Sequence, residues 1–336
     1  MAIIRDIMPQ FDLLQPASVE DALDLLDRHG EAAWVLAGGL DSLDWFKDRI
    51  KRPKVLVDLS RVEGLHGVGE QDGGLVIGAM TTLAEVAGHK DVRERFGLLS
   101  QAAGAAASPQ IRNQGTIGGN VSQDARCWYY RGGWTCYRAG GNTCYADTPV
   151  GMNREHAIFE AERCVAVNPS DTAPAMVALD ARMIIRRKSG TREVAAQDYF
   201  IGPAYDITRM TVLAPGDLLT AIRIPAAFAG ADFYYEKVRD RRVWDFPLVN
   251  IAAALAMSGG RIERARLAVG GVAARPLRLV RVEEAVAGRP RAASTAELAG
   301  PLAIDEARPL QYNGYKVPLV RNLVKRALRG QEEPWS

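Results

Sequence analysis

The sequence has few cysteines, few histidines and almost no excess of charge. Its 336 residues include 42 Lys and Arg against 40 Asp and Glu, which leaves a formal charge of +2. This balance argues against a dedicated nucleic-acid-binding protein, because such proteins carry a basic stripe. The longest apolar stretch, residues 251–257, is far shorter than the roughly 18 residues that a membrane-spanning helix needs. We therefore expect no nucleic-acid partner and no membrane span.

Catalytic and targeting signatures are also missing. The four histidines are scattered, and the sequence holds neither an HExxH zinc motif nor a Ser-His-Asp arrangement. Asp6 and Pro9 interrupt the start of the chain, where a secretory signal needs an unbroken apolar run. We therefore expect a cytoplasmic protein, or a periplasmic one if a signal-bearing partner exports the folded chain. A reducing compartment would disfavour structural disulfides.

Hydrophobic patterning at the start of the chain predicts a small βαβ-like unit. Residues 18–29 carry apolar side chains at helical spacing, and Ser18 is the predicted N-cap of that helix. Short apolar runs at residues 33–37 and 54–59 predict two strands. The first 60 residues therefore predict one compact subdomain.

Mixed helices and strands are predicted for the rest of the chain. Residues 164–167 form a short apolar run that predicts a strand, and residues 316–329 carry an amphipathic stripe that predicts a helix packed on its own sheet. We predict an α+β protein whose divisions are residues 1–60, residues 61–225 with a cysteine-rich insertion at about residues 122–165, and residues 226–336.

Two glycine-rich loops could bring backbone amides close to a diphosphate, because missing side chains permit a close approach. The first comprises Ala37, Gly38, Gly39, Leu40, Asp41, Ser42 and Leu43. The second contains Gly115, Thr116, Gly118, Gly119 and Asn120. Neither loop is a Walker A or GxGxxG motif, so each signal is weak alone. One ligand held by both loops would explain the pair, and two unrelated turns are the alternative.

All the cysteines fall in one window, at Cys127, Cys136, Cys144 and Cys164. Their spacing, C-x8-C-x7-C-x19-C, lacks the C-x2-C pairs typical of structural zinc. Four thiolates also suit a cubane iron–sulfur cluster. From the spacing alone, iron–sulfur and zinc are about equally favoured, ahead of free core cysteines or disulfides.

Two charged residues have an ordinary structural explanation. Asp171 precedes a helix predicted at residues 172–179, so an N-cap is favoured over a contact with a ligand hydroxyl. Lys237 lies on a predicted strand, where solvent exposure is the default and an anionic cofactor edge is the alternative.

Five motifs occur in an order that resembles a known family. They are Ala37-Gly-Gly-Leu-Asp-Ser42, Arg112-Asn-x-Gly-Thr-Ile-Gly-Gly-Asn120, Asn168-Pro-Ser-Asp171, Pro215-Gly-Asp-Leu-Leu219 and Tyr235-Glu-Lys-Val-Arg239. From about Ile4 to Leu328, the chain resembles the FAD-binding medium subunit of molybdenum hydroxylases, the family of xanthine dehydrogenase and carbon monoxide dehydrogenase. The resemblance implies a vanillyl-alcohol-oxidase-type FAD-binding fold of two α/β subdomains, followed by a C-terminal αβ domain of the CO dehydrogenase flavoprotein type.

The resemblance also implies roles for the residues singled out above. The two glycine loops would hold the FAD diphosphate, and Asp171 would bind on the ribityl or ribose side. Leu219 and Lys237 would lie by the isoalloxazine ring. An aromatic residue from residues 199–205 would cover the flavin. No residue of this chain is expected to act as a catalytic acid, base or nucleophile.

The cysteine window resembles a subset of this family. In three-subunit bacterial aldehyde oxidoreductases and 4-hydroxybenzoyl-CoA reductase, the flavin subunit carries an additional [4Fe-4S] cluster. The long gap between Cys144 and Cys164 is more similar to the aldehyde oxidoreductase branch. The resemblance therefore implies a [4Fe-4S] cluster held by the four cysteines.

A subunit of this kind implies partners. They are a large subunit with the molybdenum cofactor, a small subunit with [2Fe-2S] clusters, and an external electron acceptor. Electrons would pass from the [2Fe-2S] centres to FAD in this chain and then to the acceptor. The alternatives are a 4-hydroxybenzoyl-CoA reductase-like or other hydroxylase subunit, a self-sufficient flavin oxidase of the same fold, and a zinc-stapled scaffold without enzymatic activity.

Overall fold

The structure is a computed structural model that describes residues 8–329. The start of the chain, on which the expectation of no secretory signal depends, lies outside these residues. Within residues 8–329, no helix is long and apolar enough to cross a membrane.

A three-stranded parallel sheet begins the fold, in the order β1-β3-β2. Its strands and helices are β1 (Asp12–Leu14), α1 (Val19–His29), β2 (Ala33–Leu36), α2 (Ser42–Lys47) and β3 (Val55–Asp58). Ser18 accepts a hydrogen bond from the Asp21 amide, at 3.1 Å, and so caps α1 as predicted. Leu23 and Leu26 of α1 share a core with Val57 of β3. The predicted βαβ-like unit is therefore confirmed.

A five-stranded antiparallel sheet follows, in the order β4-β5-β8-β6-β7. Its strands are β4 (Val68–Gln71), β5 (Gly74–Gly78), β6 (Arg182–Arg187), β7 (Gly190–Ala195) and β8 (Leu218–Ile224). The helices of this part are α3 (Leu83–Gly88), α4 (Lys90–Arg95), α5 (Gly97–Gly104), α6 (Pro109–Arg112), α7 (Ile117–Ser122), α8 (Trp128–Arg131), α9 (Ala173–Ala178) and α10 (Ala196–Tyr199). The long excursion between β5 and β6 contains the second glycine loop and every cysteine.

A four-stranded antiparallel sheet, in the order β12-β11-β10-β9, and three helices complete the described chain. These elements are β9 (Asp232–Val238), β10 (Val249–Ser258), β11 (Arg261–Gly270), β12 (Leu277–Arg278), α11 (Val280–Val286), α12 (Ala293–Leu302) and α13 (Lys316–Arg329). Val320, Leu323 and Val324 of α13 are buried in one core with Ile251 of β10. The predicted packing of this helix on its own sheet is confirmed.

Two features differ from the sequence predictions. Residues 164–167 belong to no strand, since this run contacts the rest of the chain through isolated bonds such as Ala157 N to Val165 O, at 2.8 Å. The second glycine-rich segment, described as a loop from the sequence, is partly helical, since Ile117 begins α7. The predicted division into residues 1–60, 61–225 and 226–336 stays a prediction.

Candidate functional site

A cleft of about 1120 Å³ runs between the first sheet and the second. Both glycine loops line it, although about 75 positions separate them in the sequence. Of the predicted cofactor residues, the structure brings together Ala37, Gly38, Gly39, Leu40, Asp41, Ser42, Gly115, Thr116, Gly118, Gly119, Asn120, Asp171 and Leu219. Leu43 and Lys237 are not among the lining residues. Two loops that line the same cleft meet the geometric condition for one ligand held by both.

The first glycine loop joins β2 to α2 and rests directly on the second. Gly39 has a φ of +76°, a conformation that residues with a side chain rarely adopt. A Cβ on Gly38 would collide with the carbonyl oxygen of Gln114. The side-chain amide of Gln114 in turn donates to the Gly38 carbonyl at 2.8 Å. Glycine at position 38 therefore allows the two loops to dock backbone against backbone.

The second loop is held tightly against the end of β5. The Gly118 amide donates to the Ala79 carbonyl at 2.9 Å, and a Cβ on Gly118 would lie 2.8 Å from Ala79. Thr116 caps α7 by accepting from the Gly119 amide at 3.0 Å. Gly118 is thus required by packing. Gly119 lines the cleft, and a Cβ there would lie 3.0 Å from Thr116 Oγ1 and 3.8 Å from the Ala37 side chain.

The side chain of Asn120 fastens the second loop to the segment that precedes α9. Its Oδ1 accepts hydrogen bonds from Ser170 Oγ at 2.7 Å and from Thr172 Oγ1 at 2.6 Å. The two hydroxyl-bearing residues are buried. Asn120 therefore positions the neighbouring Asp171 relative to the loop.

Asp171 lines the cleft as a buried carboxylate, and one of its oxygens lacks a hydrogen-bond partner. Its Oδ2 accepts from Lys237 Nζ at 2.7 Å, while Oδ1 has no hydrogen-bond partner among the described residues. Burial raises the pKa of Asp171 to about 6, and the Lys237 ammonium acts against this rise. The Ala173 amide donates to Ser170 Oγ at 3.1 Å, so Ser170 and not Asp171 satisfies the start of α9. The favoured sequence interpretation of Asp171 as an N-cap is wrong.

Lys237 lies behind Asp171 rather than in solvent. Its side chain is only 2% exposed, and its Nζ also donates to the Ala105 carbonyl at 3.2 Å. Burial lowers the pKa of Lys237, and the Asp171 carboxylate opposes this shift. The default expectation of a solvated lysine is wrong, because β9 places this residue against the excursion that contains Ala105.

Two of the aromatic residues at the cleft come from a segment for which the sequence carried no prediction. No residue from 199 to 205 lines the cleft. Tyr199 is instead buried in the apolar core against the five-stranded sheet. Trp244 and Phe246, between β9 and β10, line it instead. Trp244 has a φ of +77°, and its amide donates to the Ala107 carbonyl at 3.0 Å. A cluster of aromatics between two strands was the available signal.

Asp41 connects the first loop to the cysteine-rich segment. Its Oδ1 accepts from Arg126 Nη1 at 2.7 Å and also from Arg131 Nη2. Its Oδ2 accepts from Trp45 Nε1 at 3.0 Å. Because both oxygens are occupied within the protein, the carboxylate of Asp41 acts here as a brace between the two segments.

The four cysteines line a second, small cavity, which also includes Arg138. All four are free thiols, which rules out disulfides in this structure. Within the described part of the chain, no group of three or more His, Cys, Asp or Glu side chains has the spacing of a metal-ion site. The structure therefore shows four cysteines around one apolar space, without the tight set that a single ion requires.

Two of the thiols and the imidazole at this cavity have shifted pKa values because they are largely buried. Burial raises the pKa of Cys127 to about 11 and also raises the pKa of Cys164. The ring of His156 contacts this site, with Nε2 3.2 Å from Cys127 Sγ. Burial lowers the pKa of His156 to about 4, with a further contribution from the nearby Lys316 ammonium. The imidazole is therefore neutral at neutral pH.

The cysteine cavity and the large cleft share a wall. Met210 lines the cleft and is buried in a cluster with Ala125 and Ala166, against which Cys127 and Cys164 also pack. A layer of small apolar side chains and one methionine thus separates the two sites.

Fold and cleft together define a protein that binds an extended, diphosphate-bearing cofactor between two αβ units. Residues 9–227 match the family model of the FAD binding domain in molybdopterin dehydrogenase. Residues 233–330 match the CO dehydrogenase flavoprotein C-terminal domain. The chain therefore belongs to the family of FAD-binding medium subunits of molybdenum hydroxylases, and it is an FAD-binding oxidoreductase subunit. The predicted family and fold class are confirmed.

Individual relatives agree with this assignment. The chain is 38% identical over 249 residues to the aldehyde oxidoreductase FAD-binding subunit PaoB of Escherichia coli, covering 73% of this chain and 76% of that protein. It is 29% identical to the carbon monoxide dehydrogenase medium chain of Hydrogenophaga pseudoflava, covering 96% and 97%. A structure of carbon monoxide dehydrogenase from that organism superimposes with a TM-score of 0.76 at 29% identity, again covering 96% and 97%. Quinoline 2-oxidoreductase from Pseudomonas putida 86 gives 0.75 at 25% identity, with 96% of each chain covered.

Proposed function

We propose that this chain is the FAD- and [4Fe-4S]-carrying electron-transfer subunit of a three-subunit, molybdenum-dependent aldehyde oxidoreductase. Its partners are a large subunit with the molybdenum cofactor and a small subunit with [2Fe-2S] clusters. The observation that carries the proposal is the adjacency of two sites, a cleft lined by both glycine loops and a cavity lined by four cysteines.

The residues around the cleft fit FAD in four respects. The volume of about 1120 Å³ exceeds the roughly 300–1,000 Å³ of ordinary ligand pockets, as a dinucleotide requires. Gly119 leaves the backbone of the second loop open to a diphosphate. Asp171 offers a buried, unpaired acceptor oxygen, which suits a ribityl or ribose hydroxyl. Leu219, on the same wall, offers an apolar surface for a flavin ring.

Leu43 and Lys237 would act from outside the cleft. Leu43 packs in an apolar cluster with Trp45 and Phe46, which supports the first loop from behind. Lys237 holds Asp171 ionised and fixes the direction of its free oxygen. We propose positioning roles for both residues in place of direct contact with the flavin.

The cysteine cavity fits a [4Fe-4S] cluster better than a zinc ion. Tetrahedral zinc with bonds of about 2.3 Å would need its sulfurs about 3.8 Å apart. Within residues 8–329, no three or more His, Cys, Asp or Glu side chains are grouped to hold a single ion. A cluster separates its four thiolates more widely, because each binds a different iron. Burial that disfavours free thiolates is also consistent with a site completed by a positively charged iron core.

The wall shared by the cavity and the cleft supports the proposal that the cluster lies close to FAD, where it could take part in electron transfer. Met210 and the small alanines keep water out of the space between cavity and cleft. FAD bound in the cleft would supply the conversion between one-electron and two-electron transfer. The chain's own residues bind and orient that cofactor.

Two broader expectations remain part of the proposal. The chain divides at residues 1–60, 61–225 and 226–336, with the cysteine-rich insertion at about residues 122–165. The assembled enzyme is cytoplasmic, or periplasmic if a signal-bearing partner exports it.

The proposal is tested by analysing the natively purified protein for flavin, molybdenum, iron, zinc and all co-purifying chains. We expect FAD, molybdenum and two further subunits, with aldehyde-dependent reduction of an artificial acceptor. FAD in a protein that purifies as one chain and oxidises a substrate alone would instead indicate a flavin oxidase. Zinc without flavin would indicate a scaffold.

A further inference from the structure

Arg138 is a buried cation that faces the cysteine cavity. The residue is 5% exposed and lies two positions after Cys136. Its terminal nitrogens are occupied, since Nη1 donates to the Ile207 carbonyl at 2.8 Å and Nη2 pairs with Asp124. Its Nε has no hydrogen-bond partner among the described residues. An N–H donor is thus left free in a cavity lined by cysteines.

His156 presents a second donor to the same group of cysteines. The residue is 3% exposed, and its Nε2 lies 3.2 Å from Cys127 Sγ. Its Nδ1 has no partner among the described residues. This pattern suits the tautomer with the proton on Nε2, because the ring then donates to sulfur and leaves only a bare lone pair unpaired.

The side chain of Arg138 and the backbone of His156 are fixed from outside the cavity. Asp124, which pairs with Arg138, also receives a contact from Lys51 Nζ at 3.5 Å. The His156 carbonyl accepts from Asn313 Nδ2 at 3.1 Å, and Asn313 is fully buried. The two donors are therefore held by parts of the chain that do not themselves line the cavity.

Resting on the proposed [4Fe-4S] cluster, we propose that Arg138 and His156 are hydrogen-bond donors to the cluster sulfurs that stabilise its reduced form. Reduction adds one negative charge to a buried, sulfur-rich group. A fixed cation and two N–H dipoles aimed at the sulfurs favour the added charge, and such outer contacts adjust the potential of iron–sulfur sites. The consequence is a higher reduction potential than four cysteines in an apolar cavity would produce.

The test is a redox titration of the intact complex, with dithionite as the electron donor and dyes as mediators. The EPR signal of the reduced cluster is followed in the wild type and in Arg138→Gln and His156→Gln. Arg131→Gln is the matched control, since it removes a largely buried arginine of the same segment that does not line the cavity. Arg138→Lys keeps the charge and removes the planar Nε–H.

We expect the ratio of reduced to oxidised cluster at a fixed potential to fall about tenfold in Arg138→Gln, which is about 59 mV for a one-electron couple. His156→Gln should shift the potential in the same direction, and Arg131→Gln should not. If Arg138→Gln loses its iron, the reduction potential of the cluster is measured in Arg138→Lys and His156→Gln instead.

Unchanged potentials in iron-replete variants at positions 138 and 156 would overturn the donor assignment while leaving the cluster in place. Wild-type protein that shows no four-iron EPR signal would instead overturn the cluster itself and, with it, the proposed cofactor set. The two failures are therefore distinguishable in one series of samples.

Discussion

Replacing Asp171 with asparagine tests whether the unpaired oxygen of its carboxylate contacts FAD. The substitution keeps the size of the side chain; its amide oxygen can accept from Lys237 Nζ, which leaves the neutral amide NH2 at the position of the free Oδ1. A hydrogen bond to a charged group contributes about 1.5–3 kcal/mol, against about 0.5–1.5 kcal/mol for a neutral one. The difference of about 1–1.5 kcal/mol predicts a roughly tenfold weaker affinity for FAD in Asp171→Asn.

The pH dependence of the affinity for FAD tests the same carboxylate in a second way. Because the pKa of Asp171 is raised to about 6, the carboxylate is protonated as the pH falls below that value. The wild type should therefore lose affinity for FAD as the pH falls through about 6, with Oδ1 less able to accept from a hydroxyl. Asp171→Asn has no titrating group at this position, so its affinity should be flat over the same interval.

The assay is a flavin fluorescence titration of the deflavinated complex at several pH values. Tyr235→Phe is the matched control, because its hydroxyl donates to the Asp171 carbonyl at 3.2 Å without touching the carboxylate. We expect this variant to lose about 1 kcal/mol of stability and to keep its affinity for FAD. Equal FAD affinity in Asp171→Asn and the wild type, with the same pH profile, would refute the contact between Asp171 and the cofactor.

Three further changes test other parts of the two sites. Gly119→Val should lower the flavin content at least about tenfold, since its Cβ would lie 3.0 Å from Thr116 Oγ1 and the side chain would disturb the loop that lines the cleft; Gly104→Ala, whose Cβ would meet nothing closer than 3.9 Å, should leave the flavin content unchanged. Cys136→Ser should remove iron, measured by metal analysis, while part of the FAD remains; full iron retention with a normal spectrum would contradict the ligand assignment. Asn120→Ala should lower the unfolding free energy by about 1–3 kcal/mol in thermal or denaturant unfolding, because two hydroxyl groups lose their acceptor.

Strongly periodic segments were predictable from the sequence, and segments shaped by distant contacts were not. The apolar stripe at residues 316–329 gave the bounds of α13 because one face of the helix is buried. The apolar run at residues 164–167 resembled a strand, yet in the fold it wraps the cysteine cavity and pairs with no ladder. Strand β7 was missed because its sequence is largely polar, as an edge strand allows.

In the candidate site, too, local motifs were predictable from the sequence and contacts between distant segments were not. The glycine loops were visible locally, since the chain carries their required small residues in short runs. The pairing of Asp171 with Lys237 was not visible, because β9 brings the lysine to the aspartate from 66 positions away. Trp244 was passed over for a similar reason: only the docking of its backbone on Ala107 places the indole at the cleft.

The carboxylate of Asp41 binds other parts of the chain, although the motif predicted a residue that binds the cofactor. The sequence placed it in the first glycine loop as a cofactor residue, and it does line the cleft. Its carboxylate is nevertheless occupied by Arg126 and Arg131, which belong to the cysteine-rich segment. The first glycine loop and the cysteine-rich segment are therefore braced against each other, a relation that neither local motif contains.

The most direct test of the account is a low-temperature EPR spectrum of the reduced, intact complex, combined with flavin analysis of the same sample. The account predicts a four-iron cluster signal, separate from the [2Fe-2S] signals of the partner subunit, and one FAD for each copy of this chain. The four-iron signal should be absent when Cys136 is replaced by serine. FAD without any four-iron signal, or zinc bound in place of iron, would contradict the claim that the four cysteines hold a [4Fe-4S] cluster beside the flavin.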